Sequence, residues 1–203
     1  MVAADDFKVT LFGLVLAGGR SSRMGQDKGE LTYPPSHLNQ RERCRELLAP
    51  HCDQVFISLR PDQRGFPLAT RIDDDPSAGS QGPASGLLSA HRAYPNVAWL
   101  VLACDFPFAR SDDIQRLVAA RAPAQDAIAW QHEDGTLEPL FTLWEIPALQ
   151  ALSQPPAPAS PRRVLEGLRT RLLKPPRPDT LINVNTPAAR IAARSAPQSG
   201  PKI

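Results

Sequence analysis

The residues that could do chemistry are concentrated in one early run. Apolar Leu14 to Ala17 leads directly into Gly18-Gly19-Arg20-Ser21-Ser22-Arg23-Met24-Gly25-Gln26-Asp27-Lys28. Adjacent glycines let backbone N–H groups come close to a bound group, and Arg23 and Lys28 add two cations, which together suit a polyphosphate. Two common phosphate-binding spacings are excluded. A P-loop has Lys directly after its second Gly and a hydroxyl after the Lys, whereas Gln26 and Asp27 separate Gly25 from Lys28, and Gly29 follows. The dinucleotide pattern Gly-x-Gly-x-x-Gly is also absent, because the glycines are adjacent and the next one is Gly25.

Downstream, Val101 to Cys104 is an apolar run that ends on Asp105, just before Pro107. In an open α/β sheet, a carboxylate at the C-terminal end of a strand stands where ligands bind. Mg²⁺ takes few protein carboxylates and keeps waters and phosphate oxygens, so Asp105 is the best metal-ligand candidate, its plainer reading being an acid that caps the next turn. Asp73-Asp74-Asp75-Pro76 leads into Gly82-Pro83-Ala84-Ser85-Gly86, a helix start whose free N–H groups favour an acceptor atom. Glu138-Pro139-Leu140-Phe141 and Asn183-Val184-Asn185-Thr186-Pro187 complete the set. By themselves, Glu138 reads as a strand-edge acid and the Asn-Thr-Pro run as a turn with an N-cap.

In type, spacing and order these segments resemble the molybdenum cofactor guanylyltransferase (MobA-like) family of nucleotidyltransferases. Its signature, Leu-Ala-Gly-Gly-x-Ser-x-Arg-Met-Gly-x-Asp-Lys, is met from Leu16 to Lys28. The resemblance runs from about Leu14 to Pro187. It implies a three-layer, Rossmann-like α/β nucleotidyltransferase fold with a mostly parallel sheet and a small antiparallel addition. The implied reaction is transfer of GMP from GTP to the terminal phosphate of molybdopterin, with release of pyrophosphate. Leu16, Ala17, Gly18, Gly19, Lys28, Asp75 and Asp105 would bind the nucleotide. Arg23, Lys28 and Asp105 would be catalytic, Asp105 would hold Mg²⁺, and Glu138, Asn183 and Asn185 would border the acceptor. Family members carry an acid seven positions before the Gly-Pro, so the resemblance implies Asp75 among the three acids, while Asp73 and Asp74 read as solvated. Proteins that deliver or accept the cofactor would be transient partners. Two departures stand out: Thr32-Tyr33-Pro34-Pro35-Ser36-His37 replaces the family's Gly-x-Pro-Leu, and Ser58 is the nearest residue to a family asparagine after the second strand. Rival readings are a cytidylyl- or sugar-phosphate nucleotidyltransferase of the same fold, or a non-catalytic nucleotide-binding module.

The elements that must position these residues follow from the apolar pattern. The 203 residues suffice for one α/β domain, expected over 8–194 with a disordered tail over 195–203. Strands are expected at Leu11–Ala17, Val55–Leu59, Val97–Cys104, Ala127–Trp130 and Leu140–Trp144, the last two antiparallel, with a late strand at Leu181–Val184. Helices are expected at Leu38–Leu48, from Gly82-Pro83, from a cap at Ser111, at Ile146–Leu152, along Val164, Leu165, Leu168 and Leu172, and from Thr186 to Arg194. The 22 prolines are about twice the usual ~5% share, and much of the excess lies between Pro155 and Pro178. A net charge of +2 points to no nucleic-acid or membrane partner. Cys44, Cys52 and Cys104 form neither a disulfide framework nor a zinc pair, and the N-terminus lacks a signal-peptide pattern, so a cytoplasmic protein with free thiols is expected.

Overall fold

A computed structural model describes residues 9–18, 27–34, 36–63, 66–75, 83–154 and 160–184. Continuous apolar runs make strands that are buried on both faces, and this holds for β1 (Leu11–Leu16) and β4 (Ala98–Ala103), every residue of which is buried. They pair in parallel at the centre of one seven-stranded sheet ordered β3-β2-β1-β4-β6-β5-β7. On one side lie β2 (Gln54–Leu59) and β3 (Arg71–Asp73), both parallel. On the other lie β6 (Leu137–Trp144), β5 (Ala127–Gln131) and β7 (Thr170–Leu173). Only β6 is antiparallel to its neighbours among the described strands, which is the expected antiparallel addition.

Helices cover both faces. α1 (Gln40–Leu48) packs near α3 (Ser111–Ala119), while α2 (Pro83–Ala93), α4 (Ile146–Ser153) and α5 (Pro161–Glu166) form the other layer. α1 begins at Gln40 because Asn39 and Glu42 form a capping box, each side chain accepting from the other's N–H at 3.0 and 3.3 Å. Trp99, Trp130, Trp144, Phe106 and Phe141 are the largest fully buried side chains. Of the described helices, none is long and apolar enough to cross a membrane.

The chain leaves β1 toward β2 and β3, then returns to the other side of β1 as β4. The strand order therefore switches between β1 and β4, and in open α/β sheets ligands bind outside the C-terminal strand ends at such a point. Pro139 lies inside β6, where it has no N–H to donate, and the β5–β6 register shifts between Ala129 and Trp130 to bulge around it.

Several expectations are corrected. The helix expected through Leu172 stops at Glu166, with Gly167 as its C-cap, and Leu172 belongs to β7, whose backbone pairs with β5. Leu181–Val184 forms no strand; a turn ends at Leu181, and the segment is held by side chains and by the backbone bonds of Ile182 N–H to Asp179 O and Val184 N–H to Asp105 O. Ser111 is the first residue of α3 and does not cap it: the cap position is Arg110, whose N–H donates to Asp113 Oδ2 at 2.8 Å. The short edge strand β3 was not expected. Gly82 and the 186–194 helix and tail lie outside the described residues.

Candidate active site at the strand-order switch

The loop after β1 is laid across the ends of its neighbours. Ala17 N–H donates to Ser58 O at 3.0 Å, and Cys104 N–H donates to Leu16 O at 3.2 Å. Both Leu16 and Ala17 are buried, so their part in any ligand contact is carried by the backbone path they set. A side chain at Gly18 would displace the Asp74 carboxylate, because a Cβ there would lie 2.2 Å from Asp74 Oδ2. Arg60 Nη1 donates to Gly18 O at 3.1 Å, and Gln63 Nε2 donates to Ala17 O at 3.2 Å. Gly19 and Arg23 lie outside the described residues.

Lys28 opens a one-turn 3-10 helix, Lys28–Glu30, capped by Asp27, which accepts from Gly29 N–H at 2.9 Å. Its Nζ donates to Asp105 Oδ2 at 3.1 Å, across 77 residues of sequence. Asp105 follows β4, as its apolar approach predicted. Burial pushes its carboxyl above the ordinary aspartate range, and the Lys28 ammonium and the Asn183 side chain pull it back only in part. The 3.1 Å pair and that residual upward push come from the same arrangement: a carboxylate with few water contacts and only partial compensation.

Asn183 reaches Asp105 without a strand to carry it. Val184 N–H donates to Asp105 O at 3.0 Å, while Arg177 ties the preceding turn to α3 through Asp112 and Asp113 at 3.1 and 2.7 Å. Asn183 Oδ1 is buried with no hydrogen-bond partner. A small apolar cluster of Leu31, Tyr33, Phe108 and Val184 packs the segment after Lys28 against those after Asp105 and Asn183. Tyr33 thus anchors the atypical 32–37 stretch, which also bridges to α1's cap through Thr32 and Asn39.

The acidic triplet divides. Asp74 N–H donates to Leu59 O at 2.8 Å, and its carboxylate accepts from Ser58 and Ser85 beneath Gly18. Burial raises its carboxyl above the usual range, against the pull of Ser58, Arg60 and Ser85. Asp75 turns the other way. Its N–H donates to Ser89 Oγ at 2.9 Å and its carboxylate pairs with Arg92 Nη1 at 3.2 Å, with the side chain 43% exposed. The structure therefore brings Asp74 to Gly18 and places Asp75 beside α2.

Glu138 stands at the start of antiparallel β6, so it shares the sheet edge with Asp105. Its carboxylate accepts from Leu140 N–H at 2.9 Å and meets His132 Nε2 at 3.2 Å, a group separate from the Lys28–Asp105–Asn183 cluster. Asn185 lies outside the described residues. No group of three or more His, Cys, Asp or Glu is gathered for a metal among the described residues. The free cysteines are buried or half-buried, with the Cys52 thiol pushed up to about 12 by burial, which makes it unreactive.

Arg60, Gln63 and Arg41 escaped notice in the sequence, Asp74 read there as merely solvated, and Ser58 stood out only as the nearest residue to a family asparagine. Each contacts the site through strand register or helix packing, which local spacing does not encode. The one available signal was the Asp27-Lys28 pair itself, since an acid beside a phosphate-directed lysine needs a partner of its own.

Known proteins share this pattern. A model of the MobA-like NTP transferase domain matches residues 13–173. The molybdenum cofactor biosynthesis bifunctional protein of Synechocystis sp. is 35% identical over 91% of this chain and 54% of its own length, so the chain spans about half of that relative. The molybdenum cofactor guanylyltransferase of Rhodopseudomonas palustris is 31% identical over 90% of this chain and 94% of its own. Among solved structures, molybdopterin-guanine dinucleotide biosynthesis protein A from Archaeoglobus fulgidus superimposes with a TM-score of 0.70 at 21% identity, over 90% of this chain and 96% of its own. The geometry at the switch point and the match across most of the described sheet agree: the chain belongs to the MobA-like NTP transferase family and is a nucleotidyltransferase.

Proposed function

We propose that this nucleotidyltransferase moves GMP from GTP to the terminal phosphate of molybdopterin and releases pyrophosphate. The observation that carries the reading is the meeting of Lys28 Nζ and the Asp105 carboxylate at the strand-order switch. The named relatives supply the substrate pair.

In such a transfer, an acceptor phosphate oxygen attacks the α-phosphorus in line, and catalysis is mostly positioning and charge stabilisation. Backbone at Leu16, Ala17, Gly18 and Gly19 cradles the triphosphate. Lys28 and Arg23 balance the charge that grows on the departing pyrophosphate. Asp74, held beneath Gly18, takes the nucleotide-side role that spacing suggested for Asp75. Glu138 and Asn185 border the acceptor side, His132 keeping Glu138 oriented.

The donor set at Asp105 fits Mg²⁺. One strand-end carboxylate and one buried, unpartnered amide oxygen, Asn183 Oδ1, are the hard oxygen ligands this ion takes while keeping waters and phosphate oxygens. When bound there, Mg²⁺ supplies neutralising charge to phosphate oxygens.

Pyrophosphate release on mixing GTP, Mg²⁺ and molybdopterin tests the reading; a folded, GTP-binding protein that releases none would overturn it. Thermal shifts with each of the four nucleoside triphosphates test the base. GTP at about 100 times its dissociation constant stabilises by roughly 2.7 kcal/mol. An equal response to all four would remove the guanine assignment.

A further inference from the structure

We infer that Arg41 is a positioning residue that aims Lys28 at the phosphates, a role that rests on the nucleotidyl-transfer reading above.

Arg41 lies in the first turn of α1 and is only 2% exposed. A guanidinium so far from water persists only if its charge is paired. Its pairing is one-sided: Nη2 contacts Asp27 Oδ2 and Nη1 reaches Glu30 Oε1 at 3.4 Å. These carboxylates flank Lys28 and Gly29, so the fork grips the turn that carries the lysine. The turn sits directly on the guanidinium. A Cβ at Gly29 would come 2.4 Å from Arg41 Nε, which means that any side chain there would push the two apart. From the segment after β2, the Phe66 ring lies 5.7 Å from Arg41 Cζ and closes the guanidinium in.

The network continues to the other half of the phosphate cradle. Gln63 Nε2 donates both to Asp27 Oδ2 and to Ala17 O, at 2.5 and 3.2 Å. Arg41, Asp27 and Gln63 therefore fix the Lys28 turn and the backbone before Gly18 relative to each other. Lysine would keep the charge but could not span two carboxylates with a planar fork. Arg41 touches no reacting atom; it acts through where Lys28 stands.

The test is a double-mutant cycle on pyrophosphate release under saturating GTP, Mg²⁺ and molybdopterin. Arg41→Lys is expected to lower kcat by about 10- to 100-fold with little change in KM, the size that a misplacement of about 1 Å produces. In a Lys28→Ala background the same substitution is expected to change kcat by less than about twofold, because its target is gone. Asp27→Asn, which can keep the turn's cap while loosening the guanidinium, is expected to repeat both results and serves if Arg41→Lys folds poorly. Wild-type kcat in Arg41→Lys or Asp27→Asn, or an undiminished effect in the Lys28→Ala background, would overturn the positioning role alone. A Lys28→Ala enzyme with wild-type turnover would overturn the transfer reading of the loop, and the inference with it.

Discussion

The two ends of the sheet treat their acids in opposite ways. At the N-terminal edge, Glu145 is chelated by Arg121 at 2.7 and 3.0 Å, and the same guanidinium also donates to Val9 O. Asp126 accepts from Arg169 Nε, Nη2 and N–H within 3.1 Å, and the Arg169 hydrogen bonds hold its carboxyl below the ordinary range. At the C-terminal edge, Asp74 and Asp105 are pushed upward by burial and hold weaker compensation: hydroxyls, an amide, a lysine and the nearby charge of Arg60. Arginine forks saturate Glu145 and Asp126, while Asp74 and Asp105 keep acceptor capacity for a ligand. The fold is closed at the first edge and chemically open at the second.

The largest effects expected from breaking this contrast are on rate, at the open edge. Asp105→Asn should cut pyrophosphate release by about 10³-fold and Lys28→Ala by about 10²-fold, the scale of losing a preorganised electrostatic contact. The melting temperature of Asp105→Asn should hold or rise, because a neutral amide suits the buried position. Turnover measured beside calorimetry checks both, and unchanged Mg²⁺-dependent rates would take Asp105 out of the site.

At the closed edge the effect should be on stability. Arg121→Ala strands the buried Glu145 carboxylate and should cost about 3 kcal/mol in urea unfolding, with turnover per folded molecule unchanged. A loss of activity larger than the loss of folded protein would show that the two edges are coupled.

A finer division runs within the acidic triplet. Asp74→Asn should weaken GTP binding about tenfold, as expected for a charge-assisted hydrogen bond worth ~1.5 kcal/mol or more. Asp75→Asn breaks an exposed pair with Arg92, worth roughly 0–1 kcal/mol, and should leave GTP affinity within about twofold. Calorimetric titration of both variants decides which acid serves the nucleotide.

The smallest effect is a pH signature of opposite sign at the two edges. Burial favours the protonated form of Asp74, so its contribution is full below the unfolded aspartate value of about 4 and is lost as pH rises through the raised value. Asp74→Asn should therefore gain on wild type in unfolding free energy as pH rises through that window. Asp126 is depressed, so its contribution is present above about 4 and is lost as pH falls through the lowered value. Asp126→Asn should be less stable than wild type at neutral pH, and the gap should close in acid. Paired urea titrations at several pH values check the two slopes.

How far the sequence could be read depends on how local each cause is. β1 and β4 were legible because strands buried on both faces are apolar throughout, and Asp105 was legible because it ends such a run. β3 and β7 were not. Arg71-Ile72-Asp73 is too short to show an alternation, and Leu172 falls at helical spacing from Leu165 and Leu168 although its backbone pairs with β5. Leu181–Val184 has the composition of a strand but forms no ladder with any described strand, and Arg177 holds the preceding turn instead.

By itself the sequence determined which residues the glycine loop carries, its cations, and the carboxylate at a strand end, because backbone freedom and charge at a strand-to-loop junction are local properties. Only the tertiary structure decided that Lys28 meets Asp105, that Asp74 rather than Asp75 lies under Gly18, and that Arg41 grips the lysine's turn. Those outcomes depend on strand order, register and the packing of α1 and α2, which bring together groups that local spacing leaves far apart.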